Sequence, residues 1–139
     1  MFNGCKKLKN IDELKLLNTK YCTDFSFMFF GCSLVSDIKS LDKWDVSKGE
    51  NFGGMFSGCS LLSDVKSLEK WNVSNGNNFE GMFSYCSLLS VVKPLEKWNV
   101  LKSGKDFKSM FYECSSLIDK KPLEKWKISN ENFNSLFIY

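Results

Sequence analysis

Residues 52–73 read FGGMFSGCSLLSDVKSLEKWNV, and residues 79–100 repeat this wording as FEGMFSYCSLLSVVKPLEKWNV. The four tryptophans, at 44, 71, 98 and 126, recur with the same period. Self-similarity at a fixed period of about 20–50 residues is the signature of a repeat array. We therefore predict one solenoid domain over residues 1–139. Its units are residues 1–27, 28–54, 55–81, 82–109 and 110–135, followed by a partial unit at 136–139, with one extra residue around Leu101-Lys102.

Each unit combines two hydrophobic patterns. Phe52, Met55, Phe56 and Cys59 follow the spacing i, i+3, i+4, i+7 that is typical of one helix face. Asn51 stands directly before them, where its side chain would cap the first turn. After Cys59 an apolar residue recurs at every third position, which we interpret as a short parallel strand over residues 36–41, 63–68 and 90–95. The pattern predicts an α/β solenoid of five such units and a partial one, each unit a short helix plus a short strand of one parallel sheet.

Stacking of units explains the many large apolar side chains. A unit of this length cannot bury its own aromatic face, so neighbouring units must bury one another's. Cysteine and tryptophan then form a structural ladder along the stack: Cys32, Cys59, Cys86, Cys114, Trp44, Trp71, Trp98 and Trp126. The ladder cysteines fit buried free thiols, with disulfides between neighbours or metal binding as alternatives. Cys22 replaces the glycine of its column, either as an exposed reactive thiol or as a tolerated substitution.

The composition excludes several common kinds of catalytic site. Apolar residues make up 43% and charged residues 25% of the 139, which is globular rather than disordered composition. The chain has no histidine and no arginine, so it lacks a His-based triad, a His-ligated metal and a bidentate guanidinium clamp. We expect no enzymatic activity, no catalytic residue, no cofactor and no metal. A thiol redox activity centred on Cys22 is the minor alternative.

Charged residues also recur in columns. Two lysine columns flank one acidic column, and together they form the candidate binding face: Lys39, Lys66, Lys93, Lys121, Asp42, Glu69, Glu96, Glu124, Lys43, Lys70, Lys97 and Lys125. One interpretation is a solvated face that keeps the stack soluble. The other is a recognition surface for a complementary protein or a polyanionic glycan. Nucleic acid is disfavoured, because neighbouring acids neutralise the lysines and the net charge is only +3.

The repeat wording also carries a family resemblance. Met-Phe-x-x-Cys-Ser-x-Leu followed by Leu-x-x-Trp-Asn-Val-Ser resembles the BspA-like leucine-rich repeats. It is most similar to the repeat of mycoplasma lipoprotein-associated proteins of unknown function. The resemblance implies a right-handed, leucine-rich-repeat-like superhelix with adhesion or protein binding as its role. It implies no catalytic residues.

These observations favour a non-enzymatic repeat protein that mediates protein–protein interaction, with surface adhesion as one form of it. The alternative is a structural component whose open terminal units stack on another copy or on a larger assembly. The sequence shows neither a signal peptide nor an apolar stretch of about 18 residues, so we expect no membrane insertion. A cell-surface location is expected only if the chain is a fragment of a longer protein.

Overall fold

The computed structural model describes residues 1–101 and 104–139, so Lys102 of the expected extra residue lies outside the described residues. Within these ranges the chain forms short helices joined by turns. Four are 3₁₀ helices and two are α-helices: Asp12–Leu16, Lys39–Lys43, Lys66–Leu68 and Lys93–Lys97, then α1 (Lys121–Glu124) and α2 (Asn130–Ser135). The predicted α/β solenoid is wrong, because the described residues contain no β-strand and no sheet. Their only strand-like pairing is in isolated parallel bridges, such as Asn51 with Asn78.

The second half of each segment predicted as a strand lies instead in a 3₁₀ helix. The Leu41 amide donates to the Ile38 carbonyl at 3.0 Å, which closes a local turn. The Asp37 carboxylate accepts from the Lys39 amide at 2.9 Å and holds the start of that turn. Such local bonds compete directly with strand pairing. The leucine-rich-repeat-like superhelix that the resemblance implied is overturned with the strands, because it requires a parallel sheet.

The segment predicted as a helix at Phe52 is a run of tight turns. The amides of Phe52, Gly54 and Phe56 each donate to a carbonyl of the next unit, at 2.8 Å in every case. An α-helix would send them to the carbonyl four residues back in the same segment. The intervening Met55 amide returns to the Phe52 carbonyl at 3.2 Å. Alternate amides therefore link units, and the others close turns.

The prediction that Asn51 caps a helix is also wrong. The Asn51 side chain instead holds a turn. The Asn51 side-chain oxygen accepts from the Gly53 amide at 3.0 Å, which is an Asx turn rather than a helix cap. Asn78 forms the same turn with Glu80 at 2.8 Å. The turn side chain thus orients the chain for pairing with the neighbouring unit.

Aromatic side chains at equivalent positions stack on each other in the core. Phe52 and Phe79 have ring centroids 5.4 Å apart and planes 8° apart. The indoles of Trp44 and Trp71 lie 6.5 Å apart and 4° from parallel. All four rings are buried. The apolar residues of successive units thus form one continuous core along the stack.

Two columns of equivalent residues adopt the left-handed backbone conformation. Within the described residues, φ lies between 58° and 77° at Gly4, Gly31, Gly58, Tyr85 and Glu113. In the second column φ lies between 52° and 59° at Phe27, Gly54, Gly81 and Ser109. A residue with a Cβ in this conformation costs about 1–2 kcal/mol. Glycine occupies most of these positions, so each non-glycine carries backbone strain that a glycine there would avoid.

Replacing Glu113 by glycine should stabilise the protein. Glu113 is exposed and has φ 58°, whereas Gly31 and Gly58 stand at the same position of earlier units. Relief of strain should outweigh the extra unfolded-state entropy of glycine and raise the free energy of unfolding by about 1 kcal/mol. Urea denaturation measures this difference. The Glu113→Ala variant keeps the strain and is the control, and an equal gain in both variants would contradict the strain argument.

Replacing Ser40 by proline should also stabilise the protein. The buried Ser40 hydroxyl has no hydrogen-bond partner in the described part of the chain. Pro94 and Pro122 occupy the equivalent position, each in the first turn of its helix. Ser40→Pro removes the unpaired hydroxyl and restricts the unfolded chain, for a gain of about 1–2 kcal/mol.

Thermal and urea denaturation compare Ser40→Pro with Ser40→Ala, which removes the hydroxyl alone. The half-buried Ser67 occupies the same position of the next unit, so Ser67→Pro should give a smaller gain. A loss of stability in Ser40→Pro would show that the backbone of this turn differs from that at Pro94.

Candidate functional site

The predicted charged residues lie on the short helical turns, and their repeat brings them to one surface. In Lys39–Lys43, for example, Lys39, Asp42 and Lys43 are all exposed, with 86% of the Lys39 side chain accessible. The equivalent lysines of the later units are exposed too, whereas Glu69 and Glu96 are half-buried. We call this surface the striped face, which comprises Lys39, Lys66, Lys93, Lys121, Asp42, Glu69, Glu96, Glu124, Lys43, Lys70, Lys97 and Lys125.

A groove of about 820 Å³ runs between the turns of the second and third units. Its charged lining is four lysines and four acids: Lys39, Lys43, Lys66, Lys70, Asp37, Asp42, Asp64 and Glu69. The formal charge of the groove is therefore zero. A polyanion gains little from such a surface, whereas a protein that offers both signs can complement it.

Ion pairs cross the stripes within and between units. Lys97 Nζ lies 2.8 Å from Glu69 Oε1 in the neighbouring unit, and Lys93 Nζ lies 3.0 Å from Glu96 Oε2. The hydrogen bond from Lys97 lowers the pKa of the Glu69 carboxyl and raises the pKa of Lys97 itself. Both groups are solvent-accessible, so we assign these pairs to the arrangement of the surface rather than to its stability.

Tryptophans of the structural ladder hold the turns that carry the stripes. The Trp71 indole N–H donates to the Leu41 carbonyl at 3.0 Å, across the boundary between units. The same bond recurs along the stack at 2.7–2.9 Å, from Trp44 to Leu14, Trp98 to Leu68 and Trp126 to Leu95. Leu41 lies within the charged turn Lys39–Lys43, so the Trp71 indole holds the backbone of that turn from the core side. The other three indoles hold the turns that contain their acceptors in the same way.

Cysteines of the ladder form a second set of bonds between units. The Cys59 thiol donates to the Phe29 carbonyl at 3.3 Å and the Cys86 thiol to the Phe56 carbonyl at 3.2 Å. Cys32 and Cys114 make the same bond to Phe2 and Phe83. All six cysteines are free, and only Cys5 and Cys22 are exposed. Cys5 shares the column of the ladder cysteines, so the expectation that it is buried with them is wrong, because it lies in the first unit. Burial raises the pKa of Cys59 and of Cys114 to about 12 and raises that of Cys86 well above its usual value.

Two groups of surface residues were not predicted from the sequence. Asp37 and Asp64 begin the charged turns and line the groove, and their shared position in the repeat was the available signal. A second groove of about 460 Å³ is lined by aromatic residues, including Phe27 and Tyr85. The signal for this groove was an aromatic residue in each of two columns where several other units have glycine.

Metal sites and membrane spans are both absent from the described residues. No cluster of three or more histidine, cysteine, aspartate or glutamate side chains is arranged to hold a metal ion there. No helix in the same ranges has the length and apolar character needed to cross a membrane.

Residues 36–138 match the family model described as "Mycoplasma protein of unknown function, DUF285". This match covers about three quarters of the chain and includes the striped face from Lys39 to Lys125. No curated protein and no solved structure matches the chain significantly.

Thiol labelling should separate the exposed from the buried cysteines. At pH 8 the native protein should react with a disulfide reagent at Cys5 and Cys22 only, because burial and raised pKa values keep the ladder thiols protonated. All six thiols should react in denaturant. The Cys5→Ser/Cys22→Ser double variant is the control and should be unreactive while folded. Rapid labelling of Cys59 or Cys86 in the native state would contradict the buried ladder.

Proposed function

Because the chain belongs to the DUF285 family, whose description assigns no function, we propose from its surface that it is a non-enzymatic repeat protein that binds another protein through the striped face. The supporting observation is the groove between the second and third units. It presents four lysines and four acids on turns that the tryptophans anchor. A rigid surface of alternating sign favours a partner with the complementary pattern.

The sequence likeness to BspA-like repeats supports the same kind of role. Where roles of those repeats are known, they are adhesion and protein binding. We relate this chain to them through the sequence motif of its repeat, which includes Met55-Phe56 and Trp71-Asn72-Val73-Ser74, and not through their fold. Surface adhesion is then one setting in which the striped face would act.

Charge reversal on the striped face should weaken partner binding. We expect Lys39→Glu/Lys66→Glu/Lys70→Glu to weaken capture of the partner by about tenfold or more, because three favourable contacts become repulsive. The matched control, Lys6→Glu/Lys7→Glu/Lys9→Glu, changes the net charge equally at exposed lysines outside the groove and should bind normally.

The experiment immobilises the chain and captures proteins from a mycoplasma lysate at low salt. Mass spectrometry identifies the proteins that elute as the salt rises, and the purified partner is titrated against both variants. Equal loss of binding in both variants would contradict the proposal, because net charge alone would then explain the capture.

Light scattering after size exclusion tests the alternative of self-association. A mass that stays at 16.0 kDa over a wide concentration range agrees with a separate partner. A mass that rises with concentration and survives charge reversal would instead favour stacking of the chain on itself.

A further inference from the structure

The second groove combines exposed aromatic rings with a narrow floor of glycine and serine. Phe27 and Phe30 stand at one end, and Tyr85, Tyr112 and Tyr139 at the other. The floor between them includes Gly54, Ser57, Gly81 and Ser84. Phe27 (49%) and Tyr85 (51%) are each about half accessible to solvent. A surface that exposes several aromatic rings around one concavity is typical of a binding site.

Two of these aromatic residues occupy the strained left-handed columns. Phe27 has φ 52° where two later units have Gly54 and Gly81. Tyr85 has φ 59° where the two preceding units have Gly31 and Gly58. Neither ring is among the buried residues of the core. Phe27 packs part of its ring against Gly54, and the rest of the ring faces solvent. Backbone strain at exposed aromatic residues is a feature of functional surfaces.

Aromatic rings in the groove meet edge to face and therefore form clefts rather than flat platforms. Tyr85 and Tyr112 have centroids 5.4 Å apart with planes at 88°. Phe27 and Phe30 have centroids 5.7 Å apart with planes at 67°. The two rings of each pair are in contact, so the cleft is the corner that they form and not a gap between them. Proline side chains dock against the rings of aromatic-lined grooves.

The length of the groove suits an extended peptide. It crosses four steps of the stack, from Phe30 to Tyr139, and hydrogen-bonded parallel backbones lie about 4.8 Å apart, which gives about 19 Å. A polyproline II segment rises about 3.1 Å per residue, so about six residues would fill the groove. The Phe27 ring covers Gly54, whereas only Ser84 lies near the open side of Gly81, so the peptide backbone approaches the floor most closely at Gly81.

Polar groups at the rim match the hydrogen-bonding needs of such a peptide. Polyproline II carbonyls have no internal partner, and proline offers no N–H, so the groove must supply donors. The Asn78 side-chain oxygen already accepts from the Glu80 amide, which leaves its NH₂ group beside Gly53 as a donor. Lys108 lies 5.7 Å over the Tyr139 ring. Glu80 is exposed and forms no ion pair with the residues that the structure describes, so its carboxylate complements a basic side chain.

We propose that this groove binds an extended, proline-rich peptide segment that carries a basic residue opposite Glu80. The partner segment inserts its prolines into the Phe27–Phe30 and Tyr85–Tyr112 clefts. The proposal adds a second contact surface to the protein-binding function proposed above, and the two grooves share no lining residue.

A peptide array tests the proposal directly. The probes are peptides with a Pro-x-x-Pro core, every residue type at the variable positions and one arginine at either end. The control probes carry alanine in place of proline. We expect saturable binding of the proline peptides by the full chain, and binding about tenfold weaker for Tyr85→Gly and for Phe27→Gly. Both variants place glycine where other units already have it, so the fold should survive.

Two further variants make the result specific. Tyr21→Ser removes an exposed tyrosine outside the groove and should leave peptide binding unchanged. Glu80→Gln should lower the affinity severalfold and remove the preference for arginine. Lys39→Glu/Lys66→Glu/Lys70→Glu should bind the array like the wild type. If no peptide of the array binds but the partner is still captured, the proposal for the second groove is wrong and the proposal for the striped face is unaffected.

Several outcomes would overturn the proposal. These are no saturable binding across the array, equal binding of the alanine controls, or full binding by both glycine variants. A saccharide groove would show itself as saturable binding of cello- or chito-oligosaccharides that Tyr85→Gly and Phe27→Gly abolish while proline peptides do not bind.

Discussion

Hydrogen bonds between neighbouring units are the constraint on which the rest of the structure depends. Alternate amides in the segment that starts at Phe52 donate to the next unit, and the same exchange recurs from Phe25 and from Phe79. A buried amide without a partner is costly, so each unit needs its neighbour in one register. In that register equivalent aromatic rings stack on each other, and each ladder thiol donates to a carbonyl of the preceding unit. The aromatic stacks fit the same register.

The same register decides what the surface can present. Each tryptophan reaches across the unit boundary to the turn that carries the charges, as Trp71 does to Leu41. Charged side chains at equivalent positions therefore recur at a fixed spacing with the same sign, and the sign changes from one column to the next. The turns that contain Leu41, Leu68 and Leu95 each accept such a hydrogen bond from an indole of the following unit, and this supports the protein-binding role proposed above.

Departures from the repeat are the most informative residues of the chain. Pro94 and Pro122 stand where Ser40 and Ser67 are found, at a turn position that tolerates proline. Tyr85 and Phe27 replace glycines and accept backbone strain while their rings stay in solvent. The first kind of departure suits the turn, whereas the second kind costs stability, as the same conformation does at Glu113. The ring that each of these two residues presents at the surface supports the second contact surface proposed above.

By itself the sequence determined the period of the repeat, the columns of like residues and the absence of histidine and arginine chemistry. It also indicated the mycoplasma family that the match over residues 36–138 shows. The conformation of each unit was decided only by the tertiary structure. The spacing of Phe52, Met55, Phe56 and Cys59 buries one side of a helix, but overlapping turns bury the same residues. The choice depends on where the amides donate, and their acceptors lie about one full repeat further along the chain, in the next unit. Only stacked units bring those acceptors within reach, so no local pattern could reveal them.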